Sequence, residues 1–259
     1  MSEYRSNGPV RAPQHLGETL GAIFARYPRL LGTLLLVGVL LGLLQAATES
    51  VQVEGMALLE AGEMPGPAFF VAVLAGLIGS AYLWVVALLR ADHALAGDRG
   101  NGAFARAGRV LLPVLAYALL YTLLVVTGLV LLALPGIFLA VLLAPGVMLI
   151  VLRDSGVFAA LKRSAVLVWG SWWFSLGILL TITLVAVIPL SIAEIVLMEL
   201  RQSPDPGDWL TLAGFNVAVM VLVLPLFTSM AYTLLEALEA RRRNVIMEED
   251  LLRRAGSSG

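Results

Sequence analysis

The chain has 259 residues, of which 59% are hydrophobic and only 14% are charged, and its mean hydropathy is +0.92. A soluble protein of this length is roughly half apolar, so this composition indicates that part of the folded surface faces lipid instead of water. The formal net charge of -1 points to no nucleic-acid partner, and the lack of cysteine excludes disulfides, thiolate metal sites and cysteine nucleophiles.

The first segment, 1–29, is polar until the first apolar run begins near residue 30. It does not resemble a cleavable signal peptide, in which a short charged start leads directly into an apolar region. We therefore expect 1–29 to be a cytoplasmic tail with an amphipathic approach to the membrane. The first membrane helix is expected to be retained and to serve as the targeting signal.

Six apolar segments follow. A hydrocarbon core about 30 Å thick requires about 20 apolar residues of helix, and six segments within 30–237 meet or approach that length. The remaining residues, 238–259, form a predicted cytoplasmic tail. The sequence therefore predicts an all-α polytopic membrane protein with six transmembrane helices. The predicted spans are 30–47, 68–89, 111–134, 137–152, 173–197 and 209–235.

The fourth segment is the shortest of the six. It has about sixteen apolar residues and contains the pair Pro145 and Gly146, so it is either a short span or a broken one. The turn before it, at Pro135 and Gly136, carries no charge and suits a tight hairpin at a membrane face. A re-entrant pair of helices is the alternative.

The basic residues predict the orientation, because Lys and Arg are retained on the cytoplasmic side of a membrane. With six spans, all of the 17 basic residues except Arg201 fall on one side. The opposite loops carry mainly Glu and Asp, and Trp172 and Trp173 lie where a helix would enter from the basic side. Both termini are therefore expected in the cytoplasm.

Three predicted membrane approaches share the motif Phe-Ala-x-x-x-Arg. Repetition of this kind predicts three units, each a juxtamembrane helix followed by a transmembrane hairpin, although chance similarity at interfaces is the alternative. The motifs begin at Phe24, Phe104 and Phe158 and end at Arg29, Arg109 and Arg163.

The third approach also has an amphipathic pattern. Phe158, Leu161, Ala165 and Val168 recur at helical spacing, while Lys162 and the following arginine lie off that stripe. Such a helix can lie in the interface with its basic side toward lipid phosphates, or it can be an ordinary connector packed on the bundle. The predicted headgroup contacts are Arg29, Arg109, Lys162 and Arg163.

Small residues at four-residue spacing occur in the first two spans. They allow helices to approach closely, which matters in lipid because there is no hydrophobic drive for helix association. Packing within one bundle is the favoured interpretation, and a dimer interface is the alternative. The pairs and stripes are Gly38 with Gly42, and Ala72 with Gly76 and Ser80.

Polar residues inside the predicted spans are the natural candidates for a functional site. Glu194 lies near the outer end of the fifth span beside Ser191, where it either reaches the headgroups or forms a cation or proton site. Asn216, Tyr121 and Tyr232 either line a polar cavity or bond between helices. Together these five residues form the predicted intramembrane polar site.

Signatures of catalysis are missing from the sequence. It contains no HExxH, GxSxG or P-loop motif and no metal-spaced carboxylate cluster. The pair Asp92 and His93 is more often a solvated loop pair than an acid-base dyad. We therefore expect a protein that is not an enzyme and that needs no cofactor and no metal.

The segment 134–174 carries a sequence of features typical of one bacterial group. These are a Pro-Gly start, an internal Pro, an acidic-Gly turn, an Ala-Leu-x-x-Ser element and a Gly with aromatics. The chain thereby resembles YciC-type inner-membrane proteins and the membrane domain that precedes some glycerophosphoryl diester phosphodiesterases. The features are Pro135-Gly136, Pro145, Asp154 with Gly156, Ala160-Leu161 with Ser164, and Gly170 with Trp172 and Trp173.

The resemblance implies a six-span protein of the bacterial inner membrane. It implies no activity, because the phosphodiesterase barrel of some members has no counterpart in this chain. We expect a non-enzymatic protein acting through helix-mediated association or lipid contact, as an accessory or regulatory subunit. Its expected partners are membrane lipids and a membrane protein, and a small-solute transporter is the alternative function.

Overall fold

The computed structural model describes residues 16–97, 102–201 and 209–256. Within these ranges the chain forms eight α-helices and no strand. The helices are α1 Leu16–Glu60, α2 Pro67–Ala96, α3 Ala103–Leu131, α4 Ala133–Leu143, α5 Gly146–Arg153, α6 Val157–Trp169, α7 Trp172–Arg201 and α8 Trp209–Gly256.

Five segments of the described chain are long and apolar enough to cross a membrane. They are α1, α2, α3, the combined α4 and α5, and residues Ala213–Met247 of α8. A sixth is added when α6 and α7, which meet at an angle of 99°, are counted as one bent segment. The predicted all-α polytopic membrane protein is confirmed.

Helices α1 and α8 extend beyond the predicted spans. Hydropathy falls after residue 47, but α1 continues to Glu60. The helix ends just before Gly62. There φ is +79°, and the backbone N–H groups of Gly62 and Glu63 donate to the carbonyls of Leu59 and Leu58. This pattern is a Schellman motif. Helix α8 likewise runs unbroken past residue 237.

The fourth span is interrupted between α4 and α5, at Pro145. Two carbonyls at the end of α4 accept hydrogen bonds from side chains. The Tyr117 hydroxyl donates to the carbonyl of Leu143 at 2.6 Å, and Ser164 Oγ donates to the carbonyl of Leu142 at 2.8 Å. These bonds satisfy polar backbone groups that lipid cannot, which is how the break is accommodated.

The same segment also crosses the bundle from end to end. It begins beside the C-terminal end of α3, where Gly128 and Gly136 are in close contact. It ends beside the N-terminal part of α3, where Arg106 donates to the carbonyl of Val151 and to Asp154. The broken span, and not the re-entrant alternative, describes this geometry.

The small residues pack helices within the bundle, as predicted. A Cβ at Gly42 would lie 2.5 Å from Cα of Val217, and one at Gly38 would lie 3.0 Å from Cα of Val221. These two glycines bring α1 and α8 together in an antiparallel pair. Gly76 of α2 contacts the side chain of Thr48 on α1.

The separate juxtamembrane helix predicted for each of the three repeated units is present in one of them. Only the third approach is a separate helix, α6, because Gly170 and Ser171 form a turn before α7. The first two approaches are the opening turns of the continuous helices α1 and α3. Pro28 and Pro113 lie inside those helices without ending them.

Candidate lipid-contact surface and polar pocket

One end of the bundle gathers arginines from several helices. On α1, Arg26 Nη2 lies 2.7 Å from Glu236 Oε2 of α8, and on α3, Arg106 Nη2 lies 3.1 Å from Asp154 Oδ2. We call this the basic end: the beginnings of α1 and α3, the junction of α5 with α6, and α8 beyond residue 235. The two ends of the described chain both belong to it.

A glutamate holds two arginines together at the basic end. Arg153, the last residue of α5, donates to both carboxylate oxygens of Glu239, with Nε to Oε1 at 3.2 Å and Nη2 to Oε2 at 2.7 Å. Arg163 of α6 donates to Oε1 at 3.1 Å. The side chain of Glu239 is 15% exposed, whereas the two arginines are almost half exposed. The carboxylate is therefore enclosed and the guanidinium groups are open to ligands.

These three residues form part of a cavity of about 410 Å³ between α5, α6 and α8. Four arginines and one glutamate line it, so the cavity has a positive formal charge. We call it the basic cavity. Its lining is Arg153, Arg163, Val166, Leu167, Glu239, Arg242 and Arg243.

Helix α6 has the shape and composition of an interfacial helix. It makes an angle of 99° with α7, and its large aromatic residues Phe158 and Trp169 are 78% and 71% exposed. Lys162 is exposed as well. A helix that presents aromatic and basic residues together suits the boundary between hydrocarbon and headgroups.

The buried face of α6 differs from the predicted stripe. Phe158 is exposed, and the residues that pack on the bundle are Ala160, Ser164, Leu167 and Val168. Small side chains at positions 160 and 164 permit close packing, and Ser164 Oγ reaches a carbonyl of α4. The hydrophobicity of Phe158 predicts that it is buried. The smaller Ala160 and Ser164 are buried instead, because they fit closely against α4.

The four predicted headgroup contacts all lie on exposed positions. Of the four, Arg163 alone lines the basic cavity, where it is also paired with Glu239. Arg29 lies on α1 and Arg109 on α3. The structure therefore brings one of the four into the cavity, together with three arginines that were counted only for orientation.

The predicted intramembrane polar site is not one site. The Tyr121 hydroxyl donates to the carbonyl of Ala140 at 3.4 Å, whereas the ring of Tyr232 lies 5.4 Å from Cζ of Arg26 at the basic end. Ser191 is exposed on α7, and the side chain of Glu194 lies outside the described residues.

Asn216, the remaining member, lines a polar pocket. Its Nδ2 donates to Glu49 Oε2 at 3.1 Å, and the pocket between α1, α2 and α8 has a volume of about 350 Å³. Gln45, Thr48 and Gln52 lie on the same face of α1 as Glu49, at spacings of three and four residues. The full lining is Gln45, Thr48, Glu49, Gln52, Val73, Gly76, Leu77, Ser80 and Asn216.

The polar pocket lies at the end of the bundle opposite to the basic end. Glu49 is 20 positions after Arg29 on α1, which is about 30 Å along a helix and equals the thickness of a hydrocarbon core. Gly42 closes against Asn216 and Val217 one turn toward the basic end, where its Cβ would be 2.7 Å from the carbonyl oxygen of Asn216. The pocket is therefore a recess near that end of the bundle with a packed floor.

A third cavity is almost entirely apolar. Its volume is about 460 Å³, it lies between α1, α7 and α8, and it shares no lining residue with the other two. Phe24 and Tyr27 form the part contributed by α1, and the Tyr27 hydroxyl donates to the carbonyl of Leu222 at 3.1 Å. Such a groove suits an acyl chain.

Two glutamates central to these sites were not predicted as site residues. Glu49 falls after the drop in hydropathy and was assigned to a loop. Glu239 sits in a charged helical stretch that is typical of a solvated surface. The only local signal was the period of Gln45, Thr48 and Glu49, whose three- and four-residue spacing places polar groups on one face of a helix.

No protein-family model, curated protein or solved structure matches this chain. The resemblance of 134–174 to the YciC-type group stays a prediction.

Proposed function

We propose that this protein is a non-enzymatic integral protein of the bacterial inner membrane that binds anionic phospholipids at its basic end, as an accessory or regulatory subunit. The observation that supports it most directly is the basic cavity, in which four arginines surround one enclosed glutamate beside an interfacial helix. Both termini are proposed to lie in the cytoplasm, and a membrane protein is proposed as the further partner.

The arrangement of the cavity supports a phosphate ligand. A guanidinium group donates parallel hydrogen bonds that match the oxygens of a phosphate. Arg153 and Arg163 contact Glu239 but stay almost half exposed, and Arg242 and Arg243 supply further donors on α8. An arginine near an anionic membrane surface contributes about 1 kcal/mol to the attraction, so a cluster of four distinguishes anionic from zwitterionic lipid.

The proposed orientation, with the basic end in the cytoplasm, also supports an anionic phospholipid as the ligand. Lys and Arg are retained on the cytoplasmic side during insertion, and the cytoplasmic leaflet is the one that exposes anionic headgroups to them. The basic end would then meet anionic lipid on the side where it is concentrated. The resemblance to YciC-type proteins supports the inner membrane as the location.

The test is lipid retention measured on the purified protein. Wild-type protein is reconstituted into nanodiscs that contain equal amounts of phosphatidylglycerol and phosphatidylcholine, extracted in mild detergent and analysed by native mass spectrometry. The double variant Arg242→Gln/Arg243→Gln is compared with Arg253→Gln/Arg254→Gln, which removes the same charge at least ten positions farther along α8.

We expect wild-type protein and the Arg253→Gln/Arg254→Gln control to retain phosphatidylglycerol in preference to phosphatidylcholine. The Arg242→Gln/Arg243→Gln variant should lose that preference. Equal retention by both double variants would show that general basic charge, and not the cavity, selects the lipid.

Transport of a small solute is the second candidate function. The observation in its favour is the polar pocket lined by Asn216. The close approach of Gly42 to Val217 beneath the pocket argues against it, because a transported solute needs a polar path beyond that point. Binding at the pocket without passage is the simpler use of this geometry.

A further inference from the structure

The lining of the basic cavity has more positive charge than one phosphodiester group can neutralise. Four arginines and one glutamate line the cavity, so three positive charges remain after the carboxylate is counted. A phosphodiester carries one negative charge, whereas a phosphomonoester carries two at a pH well above its second pKa of about 6. Because the attraction between two groups grows with the charge of each, the lining favours the doubly charged phosphate.

The bonds to Glu239 do not use all the N–H groups of the two arginines that it contacts. Arg153 donates through Nε and Nη2, and Arg163 donates through Nη2. A guanidinium group has five N–H donors in total, and these two side chains are 43% and 48% exposed. A ligand can therefore accept hydrogen bonds from both arginines while Glu239 stays in place.

The other two arginines of the cavity lie on the same face of α8 as Glu239. Arg242 and Arg243 follow it by three and four positions in one continuous helix, a spacing that places side chains next to each other on the helix surface. Both are exposed. The cavity thus presents guanidinium groups from three helices, α5, α6 and α8, around one enclosed carboxylate.

Phosphomonoesters and phosphodiesters also differ in shape. A monoester has three charged oxygens on the side away from its single ester bond, and all three are strong hydrogen-bond acceptors. A diester has only two such oxygens, and its second substituent must fit among the arginines. Donors from three helices match the three-oxygen end, and paired N–H···O bonds from guanidinium groups strengthen each contact.

The size of the cavity and its apolar wall agree with a small phosphate headgroup. The volume of about 410 Å³ lies toward the small end of the range of about 300–1,000 Å³ that is usual for small-molecule sites. Val166 and Leu167 of α6 complete the lining and can contact the uncharged part of the ligand. A phosphate with a single substituent therefore fits both the charged and the apolar parts of the cavity.

We infer that the basic cavity selects phosphomonoesters over phosphodiesters, an inference that rests on the function proposed above. The four arginines bind the three charged oxygens of the ligand. The monoester belongs either to a lipid whose phosphate has no further substituent, which is phosphatidic acid, or to a soluble phosphomonoester.

Phosphatidic acid is the lipid probe, and phosphatidylmethanol is the matched control, because it differs by one methyl group that converts the monoester into a singly charged diester. Full-length protein is reconstituted at pH 8 into nanodiscs that contain equal amounts of the two lipids in phosphatidylcholine. It is then extracted in mild detergent, and the retained lipids are counted by native mass spectrometry. The variants are Arg242→Gln/Arg243→Gln, in the cavity, and Arg253→Gln/Arg254→Gln, farther along α8.

We expect wild type and Arg253→Gln/Arg254→Gln to retain phosphatidic acid about tenfold more than phosphatidylmethanol, as one additional hydrogen bond to a charged group would give. Arg242→Gln/Arg243→Gln should lose most of this preference. Arg163→Gln, which acts from α6, should also reduce it and covers the case in which the double variant does not fold. A preference that persists in full in both cavity variants contradicts binding at this cavity.

A soluble monoester is tested with methyl phosphate, and dimethyl phosphate is its singly charged control. The thermal unfolding midpoint of wild type in detergent is measured with each compound at equal ionic strength and pH 8. Methyl phosphate at about ten times its dissociation constant should raise the midpoint by about 3 °C or more if the natural ligand is soluble. A preference for phosphatidic acid without this shift assigns the lipid as the source.

Failure of this inference can be distinguished from failure of the proposed function. Equal retention of phosphatidic acid and phosphatidylmethanol, together with equal effects of methyl phosphate and dimethyl phosphate, overturns the selection of monoesters. If phosphatidylglycerol is still retained over phosphatidylcholine, the proposed function stands without it. A wild type that does not distinguish phosphatidylglycerol from phosphatidylcholine contradicts the proposed function itself.

Discussion

Arg153 and Glu239 are 86 positions apart in the sequence and form a two-pronged ion pair, with Nη2 of the arginine 2.7 Å from Oε2 of the glutamate. The pair joins the end of the broken fourth span to the long helix α8. Because Arg163 donates to the same carboxylate, one glutamate connects α5, α6 and α8. The carboxylate therefore adds a polar connection to the packing that holds α6 against the bundle.

Glu239→Gln tests this dependence. The amide retains one acceptor but loses the charge that holds two arginines, so we expect a loss of about 1 kcal/mol after allowing for the solvent screening of half-exposed arginines. That loss lowers the unfolding midpoint by about 2–4 °C. Removal of the negative charge should at the same time increase the retention of phosphatidylglycerol.

The control for this prediction is Glu60→Gln, which neutralises an exposed carboxylate at the far end of α1. It should change neither the midpoint nor the lipid retained. A Glu239→Gln protein that is less stable and also binds less phosphatidylglycerol would contradict the proposal that the cavity arginines are available to lipid.

Gly42→Ala tests the close contact between α1 and α8. The added Cβ would lie 2.5 Å from Cα of Val217, so the backbones must separate, and we expect a cost of about 1–3 kcal/mol. Gly32→Ala is the matched control on the same helix, because its Cβ would meet nothing within 4 Å. Unfolding midpoints that fall equally in both variants would show that the contact is not required.

Tyr117→Phe tests the break in the fourth span. It removes the buried 2.6 Å hydrogen bond to the carbonyl of Leu143, and we expect a loss of about 1 kcal/mol, as is usual for buried side-chain bonds in membrane bundles. Tyr121→Phe removes a neighbouring hydroxyl whose bond to Ala140 is 3.4 Å long. It should have almost no effect, and similar losses in the two variants would contradict this account.

Two substitutions at Asp154 distinguish the contribution of its backbone conformation to stability from that of its ion pair. Its φ of +49° places it in the left-handed region, and its side chain, 70% exposed, pairs with Arg106. Asp154→Asn keeps a residue that tolerates this conformation and should cost less than about 0.5 kcal/mol. Asp154→Val should cost about 1–2 kcal/mol.

These two variants are compared by the denaturation midpoint in mild detergent. A larger loss in Asp154→Asn than in Asp154→Val would assign the main contribution to the ion pair with Arg106 instead of the backbone.

The all-α membrane fold could be predicted because hydropathy decides which residues enter lipid. The ends of α1 and α8 could not, because these helices continue into polar sequence, where hydropathy no longer reports on helix. What ends α1 is the left-handed conformation of Gly62, a local signal that is weak beside a long apolar run.

The sites were predicted less well, for a related reason. Charge spacing within α8 favours pairing of Glu239 with Arg243, four residues later, but the structure gives Glu239 partners from α5 and α6. Asn216 was recognised as a polar residue in a span, whereas its partner Glu49 belongs to another helix 167 positions away. Such pairs follow from tertiary packing and leave no periodic pattern in either segment.

The bend between α6 and α7 has a consequence for the shape of the protein in the bilayer. Helix α6 has 13 residues, so it is about 20 Å long and, with side chains, about 10 Å wide. In the proposed interfacial placement, α6 would add roughly 200 Å² to the footprint of the protein on one surface of the membrane and nothing on the other. Such an asymmetric wedge would favour a bilayer whose leaflet on the α6 side is stretched, which would couple the position of one short helix to membrane curvature.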